Sequence, residues 1–233
     1  MLLCAVAGAC RATGDVVVDV TPDGSGTVAV TVHVDAEALE RVGDLAKAVK
    51  VDDLTAHGWT ASTPVTARGT TSLTVTKPFG SAAGLAGLMS EVSGRSGLLG
   101  RWDAKVTDGF ASTGWSAGGT ITATGDLAQF SDEGLASALD GLPLGRTSQE
   151  LAAEWGGATP SLPVTFTVRL PDGTEQSRVV DLASGRPTST AVRAEGSRRD
   201  TAVLWWLAAG AGAFVVGLVA LMGGRRRTAG RRP

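Results

Sequence analysis

The chain has 233 residues, with 21 Lys and Arg against 23 Asp and Glu and a formal charge of −2, enough for one domain with a sizeable core or two small ones. Five arginines (225, 226, 227, 231 and 232) follow every acid, so without them 16 bases face 23 acids and the body carries −7. An acidic body with a basic tail excludes a nucleic-acid-binding head, and two cysteines confined to the first ten residues exclude a disulfide framework and a cysteine zinc site.

Residues 1–9 (MLLCAVAGA) are apolar and end in Ala7-Gly8-Ala9, the small-x-small pattern that signal peptidase accepts. A basic n-region is missing and the apolar run is short, so 1–9 reads as part of a signal peptide whose start lies upstream. Cys10 follows directly. Ala-Gly-Ala-Cys has the form of a lipobox, in which the cysteine is acylated and becomes the mature N-terminus. The alternative is ordinary cleavage at the same bond, leaving a free thiol. A composition of 17 Arg against 4 Lys, a single Ile and neither Asn nor Tyr points to a GC-rich bacterial genome.

The next segment alternates strictly. Val16, Val18 and Val20, then Val28, Val30, Val32 and Val34, fall on one face, with Thr27, Ala29, Thr31 and His33 on the other. Thr21-Pro22-Asp23-Gly24-Ser25-Gly26 supplies the turn, so 15–34 is predicted to be a β-hairpin with one covered face. After Asp35, a good N-cap, apolar residues at Ala36, Leu39, Val42, Ala46 and Val49 predict one helix lying on a core. A second hairpin is expected from Trp59 to Thr76, turning near Arg68-Gly69 and ended by Pro78. A helix capped by Ser81 follows, presenting Leu85, Leu88, Met89 and Val92. Strands are expected at 103–107 and 115–124, then two short helices, the second opening on the capping box Thr147-Ser-Gln-Glu150. Val164, Phe166, Val168 and Leu170 alternate again, Pro171-Asp172-Gly173 turns the chain into 174–181, and a last strand runs 188–194.

Residues 195–201 read as a linker. Beyond them, 202–222 holds no charge, about 31 Å as a helix, which matches the hydrocarbon thickness of a bilayer. Trp205 and Trp206 sit at the headgroup level at its start, and Arg225, Arg226 and Arg227 open a basic tail over 223–233 that the positive-inside rule places in the cytoplasm. Residues 10–194 are therefore expected outside the cell, on a single-pass plasma-membrane protein. Ala209, Ala213 and Gly217 form a small-residue stripe that favours weak helix–helix self-association.

The predicted fold class is thus α+β: an antiparallel sheet of hairpins covered by two or more amphipathic helices, plus one C-terminal transmembrane helix. Chemistry is sparse. His33 and His57 are the only imidazoles, without a nucleophile elbow, and read as solvated side chains. Asp52-Asp53 and Asp132-Glu133 lack the spacing of a calcium loop, so no metal or cofactor is expected. One loop carries a lipid hypothesis. Arg95, Leu98, Leu99, Arg101 and Trp102 place apolar tips between two arginines, fit for insertion beside anionic phosphates. The opposing reading has Leu98, Leu99 and Trp102 opening the next strand and pointing into the core.

The layout resembles the LppM-like membrane-anchored lipoproteins of GC-rich Gram-positive bacteria. Ala-Gly-Ala-Cys10 and DVVVDVTPDGSGTVAVTVHVDAEAL (15–39) carry the resemblance in detail. The second hairpin-plus-helix, the apolar segment and the arginine tail match in order. The resemblance implies an exported domain with a lipid-binding-like fold at the outer face of the plasma membrane, and it transfers no catalytic motif. The expected function is non-enzymatic binding of an envelope lipid or glycolipid, or of an envelope protein. An envelope-directed hydrolase, and a structural subunit acting through its membrane helix, are the alternatives.

Overall fold

Alternating valines make strands because branched side chains pack well on a pleated surface, as they do over residues 15–34. The computed structural model describes residues 12–49, 51–93, 97–125, 161–199 and 201. Among these, ten strands and four short helices follow in the order β1 (Ala12–Val20), β2 (Gly26–Asp35), α1 (Ala36–Val42), α2 (Leu45–Ala48), α3 (Val51–Ala56), β3 (Thr60–Ala61), β4 (Val65–Ala67), β5 (Thr70–Phe79), α4 (Ala82–Ser93), β6 (Leu99–Gly109), β7 (Ser112–Ala123), β8 (Pro163–Arg169), β9 (Glu175–Asp181) and β10 (Thr188–Arg199). A seven-stranded sheet runs β3-β5-β2-β1-β8-β9, with β4 also on β5, and a three-stranded sheet runs β10-β7-β6.

This corrects the α+β expectation. The described chain is mostly β, with two sheets rather than one hairpin sheet under helices. The large sheet is also mixed: β1 pairs with β8 in parallel, Val16 opposite Phe166 and Val18 opposite Val168. Among the described residues no helix is long and apolar enough to cross a membrane. The span expected at 202–222, and the two short helices expected between 126 and 160, lie outside the described residues.

The first hairpin pairs Val18 with Val28 and Val16 with Val30. Its turn is held by Asp23, whose Oδ1 accepts from Thr21 Oγ1 at 2.6 Å, Ser25 Oγ at 2.8 Å and Ser25 N–H at 3.1 Å. Those bonds, from the Thr21 hydroxyl first and then from Ser25, favour the ionised form and lower the Asp23 pKa to about 2. The turn's carboxylate contribution to folding is therefore present above the ordinary 3.8 and is lost only as pH falls through about 2. A carbon-detected NMR titration should give Asp23 a midpoint near that value, rising toward 3.8 in Ser25→Ala.

The turn returns the chain at Gly26, where a Cβ would collide with the Asp19 carbonyl and sit 2.5 Å from the Phe79 ring. Gly26→Ala should cost about 1–3 kcal/mol in equilibrium unfolding, the usual range for overpacking.

The single helix expected over 36–49 is two. Asp35 caps α1, its carboxylate accepting from Ala38 N–H at 2.7 Å, but Gly43 at φ 73 ends it. Asp44 then caps α2 afresh. Arg68 and Gly69, at φ 52 and 79, form the β4–β5 turn. β5 runs through Pro78 to Phe79 instead of stopping before it. β3 meets β5 only at Val75 and Thr76, so Pro78 sits beyond that ladder, where a missing N–H costs no strand bond. Residues 195–199, expected as linker, continue β10.

Two compact units contain these elements. The larger takes the chain up to 106 and from 115 to 196, and holds the main core: Val16, Val18, Val28, Phe79, Leu85, Met89, Trp102, Trp115, Ile121, Phe166, Val168 and Val192 are all buried there. A smaller cluster of Val34, Ala38, Leu45 and Leu73 lies under α1 and α2 in the same unit. The second unit takes 107–114 and the chain from 197, and its described part is the β6–β7 hairpin tip with the end of β10.

Candidate functional site

The two core clusters do not merge, and a groove of about 240 Å³ lies between them, lined by Val30, Val32, Val49, Leu54, Trp59, Leu73, Val75, Glu91 and Val92. Its floor is the apolar face of β2 and β5, where Val30 stands opposite Val75 and Val32 opposite Leu73. Val49 and Leu54 come from the helical stretch 36–56. Trp59 precedes β3, and Glu91 and Val92 end α4. Val30 and Val32 belong to the buried row of β2 by alternation yet are only half-buried, because the groove leaves them uncovered.

One polar cluster borders this apolar floor. Glu91 Oε1 accepts from the Trp59 indole N–H at 2.8 Å, and Lys77 Nζ donates to both Glu91 oxygens at 2.8 Å. Lys77 Nζ also donates to the His57 carbonyl at 2.7 Å and lies 5.8 Å from the Trp59 ring centre, a cation–π distance. Lys77 shares the inward parity of Leu73, Val75 and Phe79 on β5, so its stem covers apolar surface while its head reaches the carboxylate. Desolvation works to raise the Glu91 pKa, but the hydrogen bonds from Lys77 and Trp59 and the lysine charge outweigh it and hold the carboxyl below its ordinary value.

The Glu91 side chain is 40% exposed, so the pair is discounted for solvent screening. Glu91→Gln should cost at most about 1 kcal/mol at neutral pH by denaturant titration. Because the folded pKa is depressed, that cost should shrink as pH falls below the ordinary carboxylate value, where wild type loses the charge too.

The loop expected to touch lipid is differently placed. Leu98, Leu99 and Trp102 are buried at 7, 6 and 4% exposure and belong to the main core. The Leu98 carbonyl accepts from Thr122 N–H at 2.8 Å, and Leu99 N–H donates to Ser93 Oγ at 3.0 Å. Trp102 packs on Gly119, where a Cβ would sit 2.5 Å from the ring. These three side chains therefore offer no tip for insertion, and the strand-opening reading describes them. Arg101 is exposed, at φ 52. Arg95 lies outside the described residues, as do Cys10, Ala209, Ala213, Gly217, Trp205, Trp206, Arg225, Arg226 and Arg227.

His33 Nε2 meets Asp15 Oδ2 at 2.7 Å on the outer face of the large sheet, and His57 Nδ1 donates to the Asp53 carbonyl at 2.7 Å. No cluster of three or more His, Cys, Asp or Glu able to hold a metal occurs among the described residues. Reading the sequence missed Trp59, Lys77 and Glu91 as site residues. The available signal was Lys77, a charge at an inward position of an alternating strand.

The described chain is thus a two-sheet, mostly β domain with a small apolar groove edged by a neutralised charge pair. No family model and no curated protein matches the chain. Among solved structures, the NMR structure of the folded domain of Mycobacterium tuberculosis LppM is similar, with a TM-score of 0.38 and 11% sequence identity, covering 82% of this chain and 92% of that one.

Proposed function

We propose that this chain is a non-enzymatic, extracytoplasmic binding domain whose groove takes one apolar chain of an envelope lipid or glycolipid. The observation that carries this reading is the groove itself: an apolar floor of Val30, Val32, Leu73 and Val75, with Glu91, the one charge among its described lining residues, neutralised by Lys77. At about 240 Å³ it is smaller than a drug-sized site of roughly 300–1,000 Å³, and larger than the roughly 150 Å³ that holds a benzene. One chain segment fits; a two-chain lipid body does not.

Glu91 is unsuited to the general-acid role a hydrolase would need, because such a group requires a raised pKa and Glu91 is lowered and paired. The sequence supports this location: the uncharged segment 202–222 followed by Arg225, Arg226 and Arg227 has the pattern of a membrane tether, and the apolar residues 1–9 ending in Ala7-Gly8-Ala9 have that of an exported chain's cleavage region.

The test is native mass spectrometry of the full chain released from its own membranes in mild detergent. A bound mass matching an acyl-bearing envelope molecule, absent from a groove-filled variant, is expected. A chain that weighs bare under conditions that keep a control lipoprotein loaded would rule the reading out.

A further inference from the structure

The second compact unit carries a feature that the groove does not explain. Its hairpin tip is Gly109-Phe110-Ala111-Ser112, and Phe110 is 81% exposed. A turn of that kind is ordinarily made of small or polar residues, and a phenyl ring standing in water there packs nothing. Asp108, beside that tip, is engaged across the hairpin, accepting from Thr113 Oγ1 at 3.3 Å.

The same unit contains the end of β10, where Ser197, Arg198 and Arg199 are exposed. Three residues after Arg199 the uncharged segment begins at Ala202. Three residues span at most about 11 Å, so a bilayer that receives residue 202 lies within reach of this unit. An exposed ring and two exposed guanidinium groups on one unit are the chemistry a headgroup layer receives, and Trp205 and Trp206 follow in sequence.

We infer that the β6–β7 hairpin tip is a membrane contact, with Phe110 entering the headgroup–acyl boundary beside the tether and Arg198 and Arg199 meeting lipid phosphates. The inference rests on the tethered location proposed above. A second contact beside the tether restrains the domain's rotation about its anchor, which a single chain crossing leaves free.

Spin labels test it in the full chain with Cys4→Ser and Cys10→Ser, in nanodiscs of three parts phosphatidylcholine to one part phosphatidylglycerol. Labels go singly at Phe110→Cys, Val65→Cys and Gly212→Cys. Val65 is 59% exposed on β4 and reports water, whereas residue 212 reports the tether. The expected result is an oxygen-to-nickel-chelate accessibility ratio at 110 several-fold above that at 65 and approaching that at 212. If 212 reads lipid while 110 matches 65, the tether stands and the hairpin contact is overturned. If all three read water, the tether and the contact fall together.

Discussion

Val32→Trp is expected to weaken binding of a dansyl-labelled undecanoate at least tenfold, about 1.4 kcal/mol of affinity. Val32 is half-buried on the groove floor opposite Leu73, and an indole at that position occupies space that an apolar chain would otherwise fill. Because the Val32 side chain opens onto the groove, the substitution should leave the fold's cooperative unfolding in place. Val179→Trp is the matched control: Val179 is 67% exposed on β9 and lines no part of the groove. Equal probe affinity in wild type and both variants would sink the groove reading, whereas loss in Val32→Trp alone supports it.

The second large effect concerns the core that holds the groove in place. Phe166 is 1% exposed in β8, opposite Val16 across the parallel pair. Phe166→Ala removes a buried ring and leaves a cavity between elements too well connected to collapse, so it should destabilise by about 3–5 kcal/mol. That is a large fraction of the roughly 5–15 kcal/mol that holds a domain folded. Thr165→Ala, on the outer face of the same strand, should change stability by less than about 0.5 kcal/mol. Denaturant titration followed by tryptophan fluorescence separates the two, and a Phe166→Ala loss below about 1 kcal/mol would show that β8 is not the packed centre described here.

The same strand shows what the sequence could and could not reveal. Alternation at Val164, Phe166 and Val168 identifies a strand, because successive side chains must point to opposite faces. It carries no information on direction, and the partner, β1, lies about 150 residues earlier in the chain. Parallel pairing was therefore invisible, and so was the second sheet. The first hairpin was legible because its register is set locally by turn chemistry and by the valine row.

The helical stretch 36–49 failed for a different reason: a 3.6-residue apolar period continues across Gly43-Asp44, although that dipeptide ends one helix and caps the next. The loop at 98–102 held two readings because leucine and tryptophan serve a core or a bilayer equally well. Burial of all three decided it.

Of the site, Leu73 and Val75 were legible as inward residues. The Trp59–Glu91–Lys77 cluster was not, since Glu91 stands 32 residues from Trp59 and 14 from Lys77. Only folding brings them together.

Groove and hairpin acquire their proposed partners from one circumstance, the display of this head beyond the plasma membrane. Proteinase K added to intact cells measures that directly, with an antibody to the head and lysed cells as the cleavage control. The account predicts that the head is cut in intact cells as readily as other surface proteins. A head that survives in intact cells while surface proteins are digested, and is cut only after lysis, contradicts it.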